Sequence, residues 1–191
     1  MPTPTRQRIV EAGAELLSHK GYAATGVKEI VATAQAPFGS LYHHFPGGKE
    51  QLGAEVIAFS GAEYGKLGPL IFDAAPDPVT GVRMFFDGAA ANLEETNWLA
   101  GCPIATVALE VANTSEPLRE ATAAVFTSWV DGLVHYFRAA GLSKPEAREI
   151  AVKFVAALEG AFILAQTWRD AAPLRQAGAM VARELEEALG R

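Results

Sequence analysis

Cysteine is nearly absent: Cys102 is the one such residue among 191. No internal disulfide can form, and a cysteine-built metal cluster is excluded. A lone thiol suits a reducing, cytoplasmic compartment. Long apolar runs are missing too. The opening Met-Pro-Thr-Pro-Thr-Arg has no apolar core of signal-peptide length. No run of about 18 apolar residues promises a membrane span. Strand-like alternation of useful length, internal repeats and low-complexity tracts are also lacking. So are a Gly-rich phosphate loop, a metal-ligand motif and a nucleophile motif. An enzyme is therefore not expected, and no cofactor is implied.

An excess of positive charge is lacking as well, since the formal net charge is −6. Its distribution says more than its total. Residues 1–50 carry five Lys/Arg and four Asp/Glu, whereas the remainder carries eleven and eighteen. Contacts to phosphate belong in the N-terminal quarter. Half of the residues are apolar, enough to bury a core.

What is present is helical periodicity. Ile9, Ala12, Gly13, Leu16 and Leu17 line one face of a helix over 5–20, which Gly21 stops. Thr25 can cap a second helix over 27–34, with Val27, Ile30 and Val31 inward. Gln35-Ala36 turns into a third, which Pro37 opens and Pro46-Gly47-Gly48 ends. Leu41 and Phe45 are four apart, so they share its buried face and leave Ser40, Tyr42 and His43 to point elsewhere. Three helices with a short turn between the last two make a helix-turn-helix unit.

A fourth helix runs over 49–66 and ends at Gly65, Gly68 and Pro69. Asp77-Pro78 caps and opens the next, to about residue 99. A short helix covers 103–111, and Ser115-Glu116-Pro117 begins one that ends at Gly141. Ser143 and Glu146 have capping-box spacing and open a helix to about 169. The last covers 173–189. The expectation is an all-α chain of about nine helices.

The first 50 residues resemble the tetracycline-repressor (TetR) family of bacterial transcriptional regulators. The likeness rests on Ile9, Ala12, Leu16, Leu17, Gly21-Tyr22, Thr25, Val27, Ile30, Ala34, the string Gly39-Ser40-Leu41-Tyr42-His43-His44-Phe45, and Lys49. Gly-Cys-Pro at 101–103 and Ala-Leu-Glu at 108–110 resemble a subgroup that includes drug-responsive repressors. The resemblance implies a helix-turn-helix DNA-binding domain over 1–48 and a helical ligand-binding and dimerisation domain over 49–191. It implies contacts to double-stranded operator DNA from Thr25, Lys28, Pro37, Phe38, Gly39, Ser40, Tyr42, His43 and Lys49.

The chemistry of these residues agrees with that role. Gly39 permits close approach, Ser40 can bond a base or phosphate, and Tyr42, His43 and Lys49 can reach the groove wall. Adjacent His43 and His44 point about 100° apart on a helix and do not converge on a metal. Three positions depart from the family pattern. Gln35 stands where glycine is usual, Phe38 where a polar or basic residue is common, and Gly48 is an extra residue before Lys49. Phe38 either packs on a neighbouring helix or rests on a thymine methyl.

For the rest of the chain the resemblance implies a homodimer released from DNA by a small, apolar or aromatic effector. Candidates for the ligand cavity are Phe85, Trp98, Thr106, Phe126, Trp129, Phe137, Phe162 and Gln166, large aromatics with polar groups among them. The 144–169 helix is apolar nearly all round and must be covered on several sides. Small Ala156, Gly160, Ala161 and Ala165 on it, with Met180, Val181 and Leu185 on the last helix, are the expected dimer contacts. Control by a protein partner or by oxidation of Cys102 is the alternative to an effector pocket.

Overall fold

The computed structural model describes residues 3–99 and 101–190. Their regular structure is helical throughout. The elements are α1 (Thr5–Ala24), α2 (Val27–Thr33), α3 (Phe38–His44), α4 (Gly48–Gly65), α5 (Leu67–Phe72), α6 (Pro78–Glu95), α7 (Pro103–Val111), α8 (Glu116–Ala139), α9 (Lys144–Trp168) and α10 (Ala172–Ala188). The helix not expected from sequence is α5. Lys66 precedes its first residue, so Pro69 lies in the first turn. An N–H there has no intrahelical acceptor, and a proline costs little.

Helix ends follow local chemistry. Asp77 Oδ1 accepts the N–H groups of Val79 (2.9 Å) and Thr80 (3.1 Å) at the start of α6. Ser143 and Glu146 form the expected capping box: Ser143 N–H donates to Glu146 Oε2 at 3.0 Å, and Glu146 N–H to Ser143 Oγ at 3.4 Å. Such a cap stabilises a helix by about 1 kcal/mol. α8 ends at Gly141, where φ is 117° and Leu142 N–H reaches back to the Phe137 carbonyl at 3.2 Å.

The chain packs as two compact units: Met1–Glu63 with Cys102–Val125, and Tyr64–Gly101 with Phe126–Arg191. This division by packing differs from the division by role expected at 48/49. Residues 49–63 and 102–125 join the N-terminal helices because they complete their core. Ile9, Leu16, Ile30, Leu41 and Phe45 are buried in this unit, as are Leu52, Ile57, Ile104 and Leu118. Gly13 of α1 lies so close to α4 that an added Cβ would come within 2.6 Å of a Val56 methyl.

The second unit is built round stacked and edge-on aromatic rings. Phe154 of α9 meets Phe86 (centroids 4.9 Å apart) and Phe85 (5.2 Å) of α6, and Phe72 meets Phe137 at 6.2 Å. α10 closes on α6 at Gly178, where a Cβ would sit 2.6 Å from that of Phe86.

α9 is long and apolar enough to cross a membrane by length and composition. Its buried residues nonetheless form one stripe: Ala147, Ile150, Ala151, Phe154, Leu158, Ala161 and Ala165. The opposite side carries Val152, Ala156, Gly160 and Ile163, all exposed, with exposed Leu164 and Trp168 toward its end. This corrects four expected dimer contacts. Ala161, Ala165, Val181 and Leu185 lie in the core of the unit itself, because they fall on the stripe that Phe154 and Leu158 define. Ala156, Gly160 and Met180 remain exposed.

Candidate functional site

α3 is anchored by the residues that its spacing selects. Leu41 and Phe45 are fully buried, and Phe45 N–H closes the helix on the Leu41 carbonyl at 2.7 Å. The other side is open. Phe38, the first helical residue, is 48% exposed, and Tyr42, one turn later, is 53% exposed. Their rings meet edge to face with centroids 6.0 Å apart. No atom lies within 4 Å of where a side chain on Gly39 would begin. Ser40 is half-buried and His43 exposed. Pro37 is exposed and takes the N-cap position, one residue earlier than a helix-opening proline.

The turn into α3 is held by backbone bonds. Ala36 N–H donates to the Val31 carbonyl (2.9 Å) and Gln35 N–H to Ala32 (3.0 Å). This is a Schellman ending of α2, with Gln35 at the left-handed position that glycine usually fills. Its φ is +50°. Arg8 braces the same turn, its Nε donating to the Ala34 carbonyl at 3.1 Å. Gly48 also has positive φ, +67°, and allows α4 to start directly behind Tyr42, whose ring atom lies 3.7 Å from the Cβ position of residue 48.

Two expected DNA contacts face inward instead. Thr25 is fully buried, and its hydroxyl donates to the Gly21 carbonyl at 2.7 Å; Gly26, not Thr25, is the N-cap of α2. Lys49 Nζ donates to the Tyr22 carbonyl at 2.7 Å and stands 4.3 Å from the Tyr22 ring centroid. Burial pushes its ammonium below the ordinary lysine value, against the nearby Glu110 carboxylate, which favours the charge. Both residues tie the α1 ending to its neighbours rather than offering a free group to phosphate. Lys28 stands exposed on α2. Of the five Lys/Arg in residues 1–50, the other four are engaged: Arg6 with Glu55, Arg8 in the turn, Lys20 with Glu29, and Lys49 with Tyr22.

The expected cavity residues take several kinds of place among the described residues. Phe137 is a core residue and Phe85 packs on Phe154. Phe126 and Trp129 meet each other edge to face, and Phe162 packs against the core. Gln166 Nε2 donates to the Trp98 carbonyl at 3.1 Å. Thr106 belongs to the first unit, exposed on α7, where its hydroxyl donates to the Cys102 carbonyl. A shallow recess of about 230 Å³ in the second unit is lined by Phe72, Asp77, Tyr136 and their neighbours. Tyr136 donates its hydroxyl to Asp73 at 2.6 Å, and that bond chiefly pushes its pKa up to about 12. Cys102 is buried, and its sulfur accepts the Ala105 N–H at the start of α7.

Known proteins match this arrangement along most of the chain. Residues 9–56 match the pattern of the bacterial regulatory proteins of the tetR family. Residues 78–180 match that of the C-terminal domain of LmrA/YxaF-like transcriptional regulators. The HTH-type transcriptional regulator YxaF of Bacillus subtilis is 34% identical over 170 residues, 89% of each chain. Its HTH-type transcriptional regulator LmrA is 32% identical over 89% of this chain and 90% of its own. A crystal structure of regulatory protein TetR from Rhodobacter sphaeroides superposes with a TM-score of 0.82 at 25% identity, covering 95% of this chain and 99% of that one.

The left-handed Gln35 sets a measurable expectation. A non-glycine residue costs about 1–2 kcal/mol there, partly offset by the greater freedom of glycine in the unfolded chain. Gln35→Gly should therefore raise stability by about 1 kcal/mol, a Tm increase of about 2–4 °C for a chain of this size. Gln35→Val should lower it. Thermal melts of both variants check this, and a destabilised glycine variant would contradict the strained turn.

Proposed function

The chain belongs to the tetR family of bacterial regulatory proteins, and on that premise we propose that it is a homodimeric transcriptional repressor, released from its operator by a small, largely apolar effector. The observation that carries the DNA-binding part is the α2–turn–α3 unit. Leu41 and Phe45 fix α3 to the core while Phe38, Gly39, Tyr42 and His43 stay exposed on it. A second helix so mounted is one that enters a major groove, with its first residues meeting base edges.

Pairing is supported by the bare side of α9. Ile163 is 56% and Trp168 63% exposed there, and Met180 of α10 is 55% exposed. A contiguous apolar surface of this kind marks an interaction site. Small Ala156 and Gly160 between the larger side chains permit close helix approach. A second copy covering this surface by a two-fold axis brings two α3 helices to one face of DNA. The operator is then a near-palindrome, with half-sites about 34 Å apart or further.

Release is a population shift in the cytoplasm, with no membrane partner. The effector binds the helical C-terminal domain and favours a separation of the two heads that the operator does not accept. An effector with equal affinity for both states would change nothing.

Four measurements test this. Lys28→Gln should weaken binding to all duplexes and reduce the salt slope by about 1 per reading head. Lys49→Gln should lower thermal stability and leave that slope unchanged; equal slope losses would return Lys49 to the phosphate backbone. Ile163→Glu should leave a folded monomer by sedimentation, with operator affinity reduced at least tenfold, and a dimer that persists would move the interface elsewhere. Titrating apolar and aromatic compounds against the operator complex should find one that releases it. An operator on which no compound acts would sink the effector while leaving the DNA reader.

A further inference from the structure

The reading helix is short of the usual readers. Arg and Lys bond guanine in pairs, Asn and Gln bond adenine, and Asp and Glu accept from cytosine. α3, Phe-Gly-Ser-Leu-Tyr-His-His, contains none of them. What it presents is a fixed apolar edge. Phe38 stands at its first position, 48% exposed. Tyr42 one turn on meets the Phe38 ring edge to face, with an interplanar angle of 67°. Tyr42 is in turn backed by the bare backbone of Gly48. Gly39 beside Phe38 has no side chain and open space around it, so the Phe38 ring can be brought to a groove floor without obstruction. Among the described residues no ring besides Tyr42 meets Phe38, and a phenyl group left in water is one whose burial is favourable.

The major groove displays one apolar group, the C5-methyl of thymine. We infer that Phe38 is a specificity-determining residue that reads a thymine in each operator half-site through that methyl, with Tyr42 holding the ring in place. The inference rests on the DNA-binding reading above and deepens it. It names the base that this chain selects. It also accounts for an apolar ring at the solvent-facing start of a helix whose core contacts are already made by Leu41 and Phe45.

The test begins with selection of the operator from random duplexes by the full-length protein. Each thymine of the selected half-site is then replaced singly by deoxyuridine, which removes the methyl and keeps every hydrogen-bonding group. At one position the replacement should weaken binding about three- to fivefold per half-site, the worth of one buried carbon. With Phe38→Ala, the thymine and deoxyuridine duplexes should bind alike at that position. Phe38→Leu, which keeps an apolar side chain, should retain part of the discrimination. Melting curves for the variants establish that they are folded. If no replacement has an effect, or if the loss persists undiminished in Phe38→Ala, the inference is overturned while the DNA-binding reading stands. If no operator can be selected at all, the reading fails and takes the inference with it.

Discussion

Residue 21 has to be glycine, and much of the first unit depends on it. Its φ is +75°, inside a helix that otherwise runs from Thr5 to Ala24. The Glu110 carboxylate occupies the space a side chain would need, with Oε1 1.8 Å from the Cβ position. The break that results leaves backbone groups outside the helical ladder, and three of them have side-chain partners. Ala23 N–H donates to Glu110 at 2.7 Å, Gly21 O accepts from Thr25, and Tyr22 O accepts from Lys49. A few residues thereby join α1 to α7, to the approach to α2, and to the start of α4.

That joint explains which parts of the site were legible in the sequence. Signals that act over three or four residues were readable. The Leu41/Phe45 spacing, the Asp77 cap, the Ser143–Glu146 box and the stop at Gly21 all appear where local chemistry puts them. A charge and a hydroxyl near a helix start look available in the sequence, but Thr25 gives its hydroxyl to the Gly21 carbonyl four residues back, and a partner across the fold claims the Lys49 ammonium. The partner of Lys49 is 27 residues away in sequence. The bare side of α9 was half-legible for a different reason. A helix apolar nearly all round carries no period, so its small residues do not say which side stays bare, and that side is marked by exposed Val152, Ile163, Leu164 and Trp168. The cavity residues were chosen by type alone, and type does not say that Phe137 is a core residue or that Thr106 packs in the other unit.

Partners within the fold also shape the electrostatics of the DNA-binding head. Most of its cations act as struts. Arg8 holds the turn, Lys49 the α1 ending, and Arg6 lies over the Phe45 ring while bonding Glu55. Attraction to DNA therefore rests on few side chains, and on a chain that is acidic beyond residue 50. Repulsion of that acidic remainder by phosphate disfavours approach by any other face, so orientation is chosen partly by exclusion.

The bare side of α9 has a consequence for stability. A protomer alone keeps Ile163, Leu164 and Trp168 in water, and in the proposed pair a second copy removes them from it. When association and folding share one apolar surface, their free energies become a single sum that contains the protein concentration. In the paired form proposed above, dilution then acts as a mild denaturant. A cell that makes little of this protein would lose not only occupancy of DNA but also part of the folded population able to bind it.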